Sequence, residues 1–407
     1  MSKKSGFYDL ARQAVLEPQG SQILVGNRKH KLNIGIPKET SFQENRIGLT
    51  PHAVQLLVNN GHEVKVEAGA GREAKFQDNV FESAGAQIVF QKEEIYRSDI
   101  IMKVAFPTMD ELNMLDENRT IISALHLSML KSEQLKLLMK KKATAIGYEL
   151  IRDEIGILPV MQAMSEIAGS TSILIAAEYL SNINHGKGVM LGGIAGIPPS
   201  NVVILGAGTV GQFAARAAIG LGAEVKVFDN NLYKLRRLQS LLGVRIYTSI
   251  LHPNILVKTL KTADVVIGAL RANSGGRTPM LVSEEMVMEM KPGSIIVDVA
   301  IDQGGCFETS HLTNHTDPIF EKHDVIHYCV PNIASRVSRT ASYALSNIFT
   351  PILLDVAESG GIKNYLWEKE NVRQGAYVYK GHLTNKHLSE RFALPYKEID
   401  LLIAAHL

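Results

Sequence analysis

Three glycines in the spacing Gly206-x-Gly208-x-x-Gly211 stand between an unbroken apolar run, Val202-Val203-Ile204-Leu205, and a helix-patterned stretch at 212–219. No other feature of the chain constrains its fold as tightly. Glycine spacing alone matches by chance, but between a strand and a helix each glycine has a physical task. Gly206 and Gly208 permit the tight turn and a close approach of backbone to phosphate, and Gly211 lets helix and strand pack. The bare amides at the helix start, those of Thr209 and Val210 among them, then face an anion together with the positive helix end. The next apolar strand, 224–228, runs into Asp229, 18 positions past Gly211. A carboxylate there accepts hydrogen bonds from the adenosine ribose hydroxyls and repels a 2′-phosphate. The expected cofactor is therefore NAD, with Lys234 and Arg236 leaving room for some tolerance of NADP.

The chain has 407 residues, 45% of them apolar, enough for more than one core, so two domains are expected. Strand patterns at 32–37, 63–67, 100–104, 121–125 and 144–148 alternate with helical stretches. The first of these helices is opened by Thr50-Pro51, with Thr50 as N-cap, and stops at Asn60-Gly61. A second βαβ series has strands at 202–205, 225–228, 265–268, 295–299 and 325–328. Long apolar stretches at 161–180 and 340–358 read as helices linking the two. The expected fold is α/β, two Rossmann-like doubly wound domains joined by long helices with a cleft between them. Residues 1–30 form an N-terminal extension with a modestly amphipathic stretch at 8–16. Residues 31–160 plus 340–407 form a discontinuous substrate domain, and 161–339 an NAD-binding domain with its linking helices.

Composition excludes several classes of function. The 43 Lys and Arg nearly cancel the 41 Asp and Glu, giving a formal charge of +2, which argues against a nucleic-acid partner. Cys306 and Cys329 are too few for a disulfide framework and lack metal-ligand spacing, so both read as buried thiols and no metal site is expected. No signal-peptide pattern opens the chain, and the longest apolar runs are short of a membrane span. A soluble cytoplasmic protein without a membrane partner is expected.

Further segments read together. They are Gly35-Ile36-Pro37-Lys38-Glu39 with Glu44-Asn45-Arg46, Ala68-Gly69-Ala70-Gly71, His126-Leu127, Met164-Ser165-Glu166-Ile167-Ala168-Gly169, the run from Val297 to Glu308, and His327-Tyr328-Cys329-Val330-Pro331-Asn332. Over residues 32–358 the chain resembles the alanine dehydrogenases, a family related to the nucleotide-binding α subunit of proton-translocating transhydrogenase. The run at 297–308 and His126 favour the dehydrogenase branch. The resemblance implies reversible NAD-dependent oxidative deamination of L-alanine to pyruvate and ammonia, by an enzyme that is often a homo-hexamer. It implies that Arg46 pairs with the substrate carboxylate, that His126 is the catalytic acid/base, and that Asp302 lies beside the nicotinamide. Ser165, Asp229, Lys234 and Asn332 then line the cofactor or the cleft, and Leu270 joins the cofactor set.

The residue types suit those roles. Loss of hydride from an amino acid leaves an imine that water must attack, and both steps need a proton acceptor titrating near neutrality, as histidine does. An arginine holds a carboxylate through two parallel hydrogen bonds. Lys38 and Glu39 read as loop surface or local ion pairing. The chain departs from the family at three positions. Where the family carries Lys-Val-Lys-Glu-Pro, this sequence has Lys103-Val104-Ala105-Phe106-Pro107, so the second lysine, a substrate partner, is Ala105. The aromatic residue two before the histidine is Ala124. Lys103 points to the same strand face as position 105 and is expected to reach the cleft as a substrate ligand. Alternatively, both alanines and Phe106 reshape the pocket for a bulkier amino or imino acid. A dehydrogenase of another amino acid, or a non-catalytic NAD-binding module like the transhydrogenase subunit, are the competing functions.

Overall fold

The computed structural model describes residues 30–125, 130–271 and 278–404. Its backbone builds two sheets. Six parallel strands run through the first, β1 (Asn33–Ile36), β2 (Glu63–Glu67), β3 (Gln87–Val89), β4 (Ile100–Met102), β5 (Thr120–Ser123) and β6 (Thr144–Gly147). The second holds β7 (Asn201–Leu205), β8 (Glu224–Phe228), β9 (Tyr247–Ser249), β10 (Val265–Gly268), β11 (Ile295–Asp298), β12 (Ile319–Lys322) and β13 (Val325–Tyr328). Its spatial order is β12-β13-β11-β10-β7-β8-β9, a doubly wound arrangement with only β12 antiparallel. Valine and isoleucine dominate β7, β10 and β11 because both faces of these strands are covered: all four residues of β10 and of β11 are buried.

The C-terminal chain returns to the first sheet. β14 (Ala376–Tyr379) pairs antiparallel with β6, and β15 (His382–Leu383) with β14, giving the order β15-β14-β6-β5-β4-β1-β2-β3. The amphipathic stretch at 8–16 lies outside the described residues.

Two long helices pack on one another and join the sheets, Pro159–Tyr179 and Ser338–Glu358. The first is long and apolar enough to cross a membrane, and its packing accounts for that character: Ile173, Ile175 and Ala176 belong to the core of the second sheet. Gly169 lets it lie directly on the helix Thr209–Gly220, since a Cβ there would stand 2.3 Å from the Val210 carbonyl oxygen. From the second linking helix, Ser342 Oγ and Ser346 Oγ accept the backbone N–H of Ile47 and of Thr50, each at 3.0 Å. These bonds fix the loop that carries Arg46. Thr50 does occupy the N-cap position of the helix Pro51–Asn59, but its hydroxyl does not cap. It lies 3.1 Å from Ser346 Oγ, a buried partner that outcompetes the helix amides. Cys306 and Cys329 are free and buried.

Candidate active site

The glycine loop follows β7. Gly206 has φ +115°, and a Cβ there would lie 2.5 Å from the Ala269 carbonyl oxygen. At Gly211 the added atom would come within 1.9 Å of the Gly206 oxygen. The protein's own backbone thus demands both of these glycines. Gly208 is different: its Cβ would meet no heavy atom within 4 Å. The open space beside it is a cradle for something outside the chain. No side chain caps the helix Thr209–Gly220 that begins here, so its first amides are left for an anion. Asp229, buried at the end of β8, accepts the Ala207 N–H on Oδ2 at 2.8 Å and the Asn231 N–H on Oδ1 at 2.7 Å. Its carboxylate therefore braces the loop from the end of the neighbouring strand. Lys234 Nζ stands 4.0 Å from Asp229 Oδ2. An uncapped helix start, an open glycine face and a carboxylate one strand away fit a dinucleotide.

Next to this loop lies a cavity of about 180 Å³ between the two sheets. Of the residues singled out in the sequence, Arg46, Ser165, Val210, Leu270, Asp302 and Asn332 line it. Ser165 arrives on the linking helix Pro159–Tyr179, and Asp302 on a short helical turn, Ile301–Gln303, just past β11. Arg46 comes from the loop before the helix Pro51–Asn59, and its guanidinium is held bidentately by Glu44, Nε to Oε1 at 2.7 Å and Nη2 to Oε2 at 2.6 Å. Nη1 donates to Met164 Sδ at 3.3 Å. Burial opposes the charge on Arg46, but Glu44 outweighs it and raises the pKa further above its ordinary range.

Asp302 is exposed at its surface, yet its carboxyl is surrounded by the cavity walls. Desolvation pushes its pKa up to about 6, against opposing contributions from the Asn332 backbone N–H and from Arg46. A carboxyl that titrates close to neutrality was not foreseen from the sequence. Neither was the part taken by Glu44, although its place two residues before Arg46 was visible. Asn332 donates from Nδ2 to Glu44 Oε2 at 2.9 Å, and its backbone N–H favours the ionised form of Asp302.

Lys103 is not brought to the cavity. Its side chain is fully buried, with Nζ 2.6 Å from Glu39 Oε2 and 3.6 Å from Glu111 Oε1. Burial disfavours the ammonium, but the two glutamates outweigh it and raise its pKa. The expectation that Lys103 reaches the cleft from a strand is not met: positions 103 and 105 lie past the end of β4, and two glutamates hold the ammonium away from the cavity. Glu39 is not loop surface, and its pairing is not local: it reaches Lys103 and also accepts the Val104 N–H at 2.5 Å, so its carboxylate closes the end of β4. Lys38 is the exposed member of that pair of residues. Ala105 and Ala124 are buried, and neither lines the cavity. His126 lies outside the described residues.

Family models confirm the relationship suggested by this architecture. Residues 35–168 match the alanine dehydrogenase/PNT N-terminal domain, and residues 172–386 the alanine dehydrogenase/PNT C-terminal domain. The chain belongs to the alanine dehydrogenase/PNT family. Alanine dehydrogenase 2 of Staphylococcus aureus (strain USA300) is 39% identical over 371 residues, spanning 91% of this chain and 99% of that protein. Among solved structures, an L-alanine dehydrogenase superposes with a TM-score of 0.84 at 38% identity, covering 88% of this chain and 99% of the other. A transhydrogenase from Sinorhizobium meliloti shares the fold, with a TM-score of 0.75 at 24% identity over 87% of this chain and 99% of that one.

Proposed function

We propose that this member of the alanine dehydrogenase/PNT family is an NAD-dependent L-alanine dehydrogenase, releasing pyruvate and ammonia in a reversible reaction. One observation carries the reading: a guanidinium, Arg46, and a carboxyl titrating near neutrality, Asp302, face one small cavity that Val210 of the dinucleotide loop also walls. The kinship with alanine dehydrogenases over nine-tenths of the chain supports alanine as the substrate.

Arg46 binds the substrate carboxylate through the Nη hydrogens that Glu44 and Met164 leave unused, fixing which face of Cα is presented. Bound NAD supplies the acceptor for the Cα hydride. Asp302, ionised above about pH 6, faces the substrate nitrogen and stabilises its positive charge as the imine forms. His126 takes the proton from the water that attacks the imine carbon and returns it to the departing amine. Met164, Ala168 and Val299 make the wall apolar, which suits a methyl side chain and limits water. Ser165 and Leu270 border the nicotinamide end, and Asp229 with Lys234 the adenosine end.

We assign residues 31–160 plus 340–407 to the substrate domain and 161–339 to the NAD-binding domain, a division that the sheet memberships of β1–β6 and β14–β15 support. We also propose a cytoplasmic homo-hexamer. Exposed Ile183, Met190, Ile194 and Ile197, close together in sequence after the first linking helix, support burial in an assembly.

The test is turnover of purified protein followed by reduced-nicotinamide absorbance, with NAD and L-alanine in one direction and NADH, pyruvate and ammonium in the other. Turnover abolished in His126→Ala is the expected result. Tight NADH binding without turnover of L-alanine would refute alanine as substrate.

A further inference from the structure

Loop 43–46 of the first sheet's domain is seated on the nucleotide-binding side of the cleft by several bonds. Asn45 N–H donates to Ser335 Oγ at 2.8 Å, Ser335 Oγ donates to the Gln43 carbonyl at 2.7 Å, and His315 N–H donates to Gln43 Oε1 at 2.6 Å. Among these contacts one side chain touches functional groups on both sides. Glu44, 4% exposed, spends its two oxygens on the Arg46 guanidinium, on the Arg46 N–H at 3.1 Å and on Asn332 Nδ2 at 2.9 Å.

Asn332 adopts the left-handed conformation. Its φ is +55°, a region that asparagine enters more readily than other residues with a Cβ. Two bonds hold it there: Nδ2 to Glu44, and the carbonyl, which accepts from Ser335 N–H at 2.9 Å. Asp302 lines the same cavity as Asn332 and Arg46, and the Asn332 backbone N–H favours its ionised form. The contacts therefore run Arg46, Glu44, Asn332, from one domain to the other, with Asp302 on the same cavity.

We propose that Glu44 is a positioning residue, a two-sided clamp that holds Arg46 and Asn332 together and thereby sets the carboxylate-binding group in register with Asp302 across the cleft. Its importance is raised in this chain because position 105 is alanine and Lys103 is committed to Glu39 and Glu111, so Arg46 has no neighbouring ammonium from β4 to share the carboxylate. The catalytic consequence rests on the dehydrogenase reading; the clamp itself does not.

Glu44→Gln keeps the shape but turns one acceptor into a donor facing Arg46 and Asn332, which already donate. In the full chain without substrate, backbone hydrogen exchange at 330–336 should accelerate at least ~10-fold while β7 and β10 keep their protection. Unchanged exchange at 330–336 overturns the clamp. With NAD and L-alanine, kcat should fall ~10–100-fold, because the groups bind but stand out of register. A cycle combining Glu44→Gln with Asn332→Ser should be strongly non-additive in kcat/KM, since both variants break the same bond; additive losses overturn the coupling. Should Glu44→Gln fail to fold, Asn332→Ser alone tests the clamp from the other end: exchange at 43–46 should then accelerate, and exchange there at the wild-type rate overturns the proposal. Absence of alanine turnover in the unmodified protein would refute the substrate reading, and the exchange measurements would still decide the clamp.

Discussion

Asp302→Asn tests whether the fold works against ionisation of the cavity carboxyl. The pKa of Asp302 rises from an ordinary 3.8 to about 6, chiefly through desolvation and despite the Asn332 N–H and Arg46. The folded protein therefore retains a proton that the unfolded chain has already released between those values. The stability associated with that proton is present below pH 3.8 and is lost as pH rises through about 6. The rise from 3.8 to about 6 sets an upper bound of about 3 kcal/mol, and because Asp302 is exposed, solvent screening reduces this to about 1 kcal/mol. Asparagine has no proton to lose, so the variant should be more stable than wild type by about 1 kcal/mol at about pH 8, with the gap closing between about pH 6 and pH 4. Urea denaturation of both proteins across that range measures the gap directly. A gap that does not change with pH, or a wild type more stable than the variant at about pH 8, refutes the argument. Turnover should move the other way and fall ~100-fold, giving a protein that is sturdier and less active.

Gly208→Ala should separate folding from binding: its Cβ meets no protein atom within 4 Å, so the urea midpoint stays close to wild type, whereas NADH affinity measured by fluorescence drops. The expected drop is ~10-fold or more. Gly211→Ala, with its Cβ 1.9 Å from the Gly206 oxygen, should lower both together, and a wild-type midpoint there would show that the loop yields easily. Lys103→Met leaves Glu39 buried without its cation, and a destabilisation of ~3–5 kcal/mol should appear as a lower urea midpoint. A loss below about 1 kcal/mol would mean that Glu39 takes up a proton without strain.

The second sheet was largely readable because each of its central strands is a continuous run of branched apolar residues, and the glycine loop lies at a strand-to-helix junction that only one class of site explains. Short edge elements escaped for the opposite reason. β3 and β9 have three residues each, β15 has two, and β12 is only partly buried, too little patterning to mark a strand. Of the site, Arg46, Asp302 and Asn332 were recognisable as types of group in a family pattern, and the structure places all three on one cavity. Partnerships were not legible, because they join residues far apart in the chain. Lys103 and Glu39 are 64 positions apart, and Glu44 and Asn332 are 288 apart. The raised pKa of Asp302 was hidden likewise, since desolvation is a property of the walls around a carboxyl and not of its neighbours in sequence.

Charge around the cavity bears on the direction of reaction. Arg46 and Arg271 line it with Asp302, while the Glu44 carboxylate sits directly behind Arg46. Two cations and two anions balance above about pH 6, and one positive charge remains when Asp302 is protonated. The amino acid arrives as a zwitterion with no net charge, but the 2-oxo acid is an anion. Protonation of Asp302 thus removes the partner of the substrate ammonium and also removes a repulsion against the 2-oxo acid. The two KM values should diverge: that of pyruvate falls and that of L-alanine rises as pH drops through about 6. A unit charge a few ångströms away is worth about 4 kcal/mol at an effective dielectric constant of about 20, and cavity water reduces this, so a change of ~5-fold or more in each KM is expected. In Asp302→Asn, which keeps His126, the divergence should vanish. Parallel KM profiles in the wild type, or a divergence that survives in Asp302→Asn, would place the control of substrate charge on a group other than Asp302.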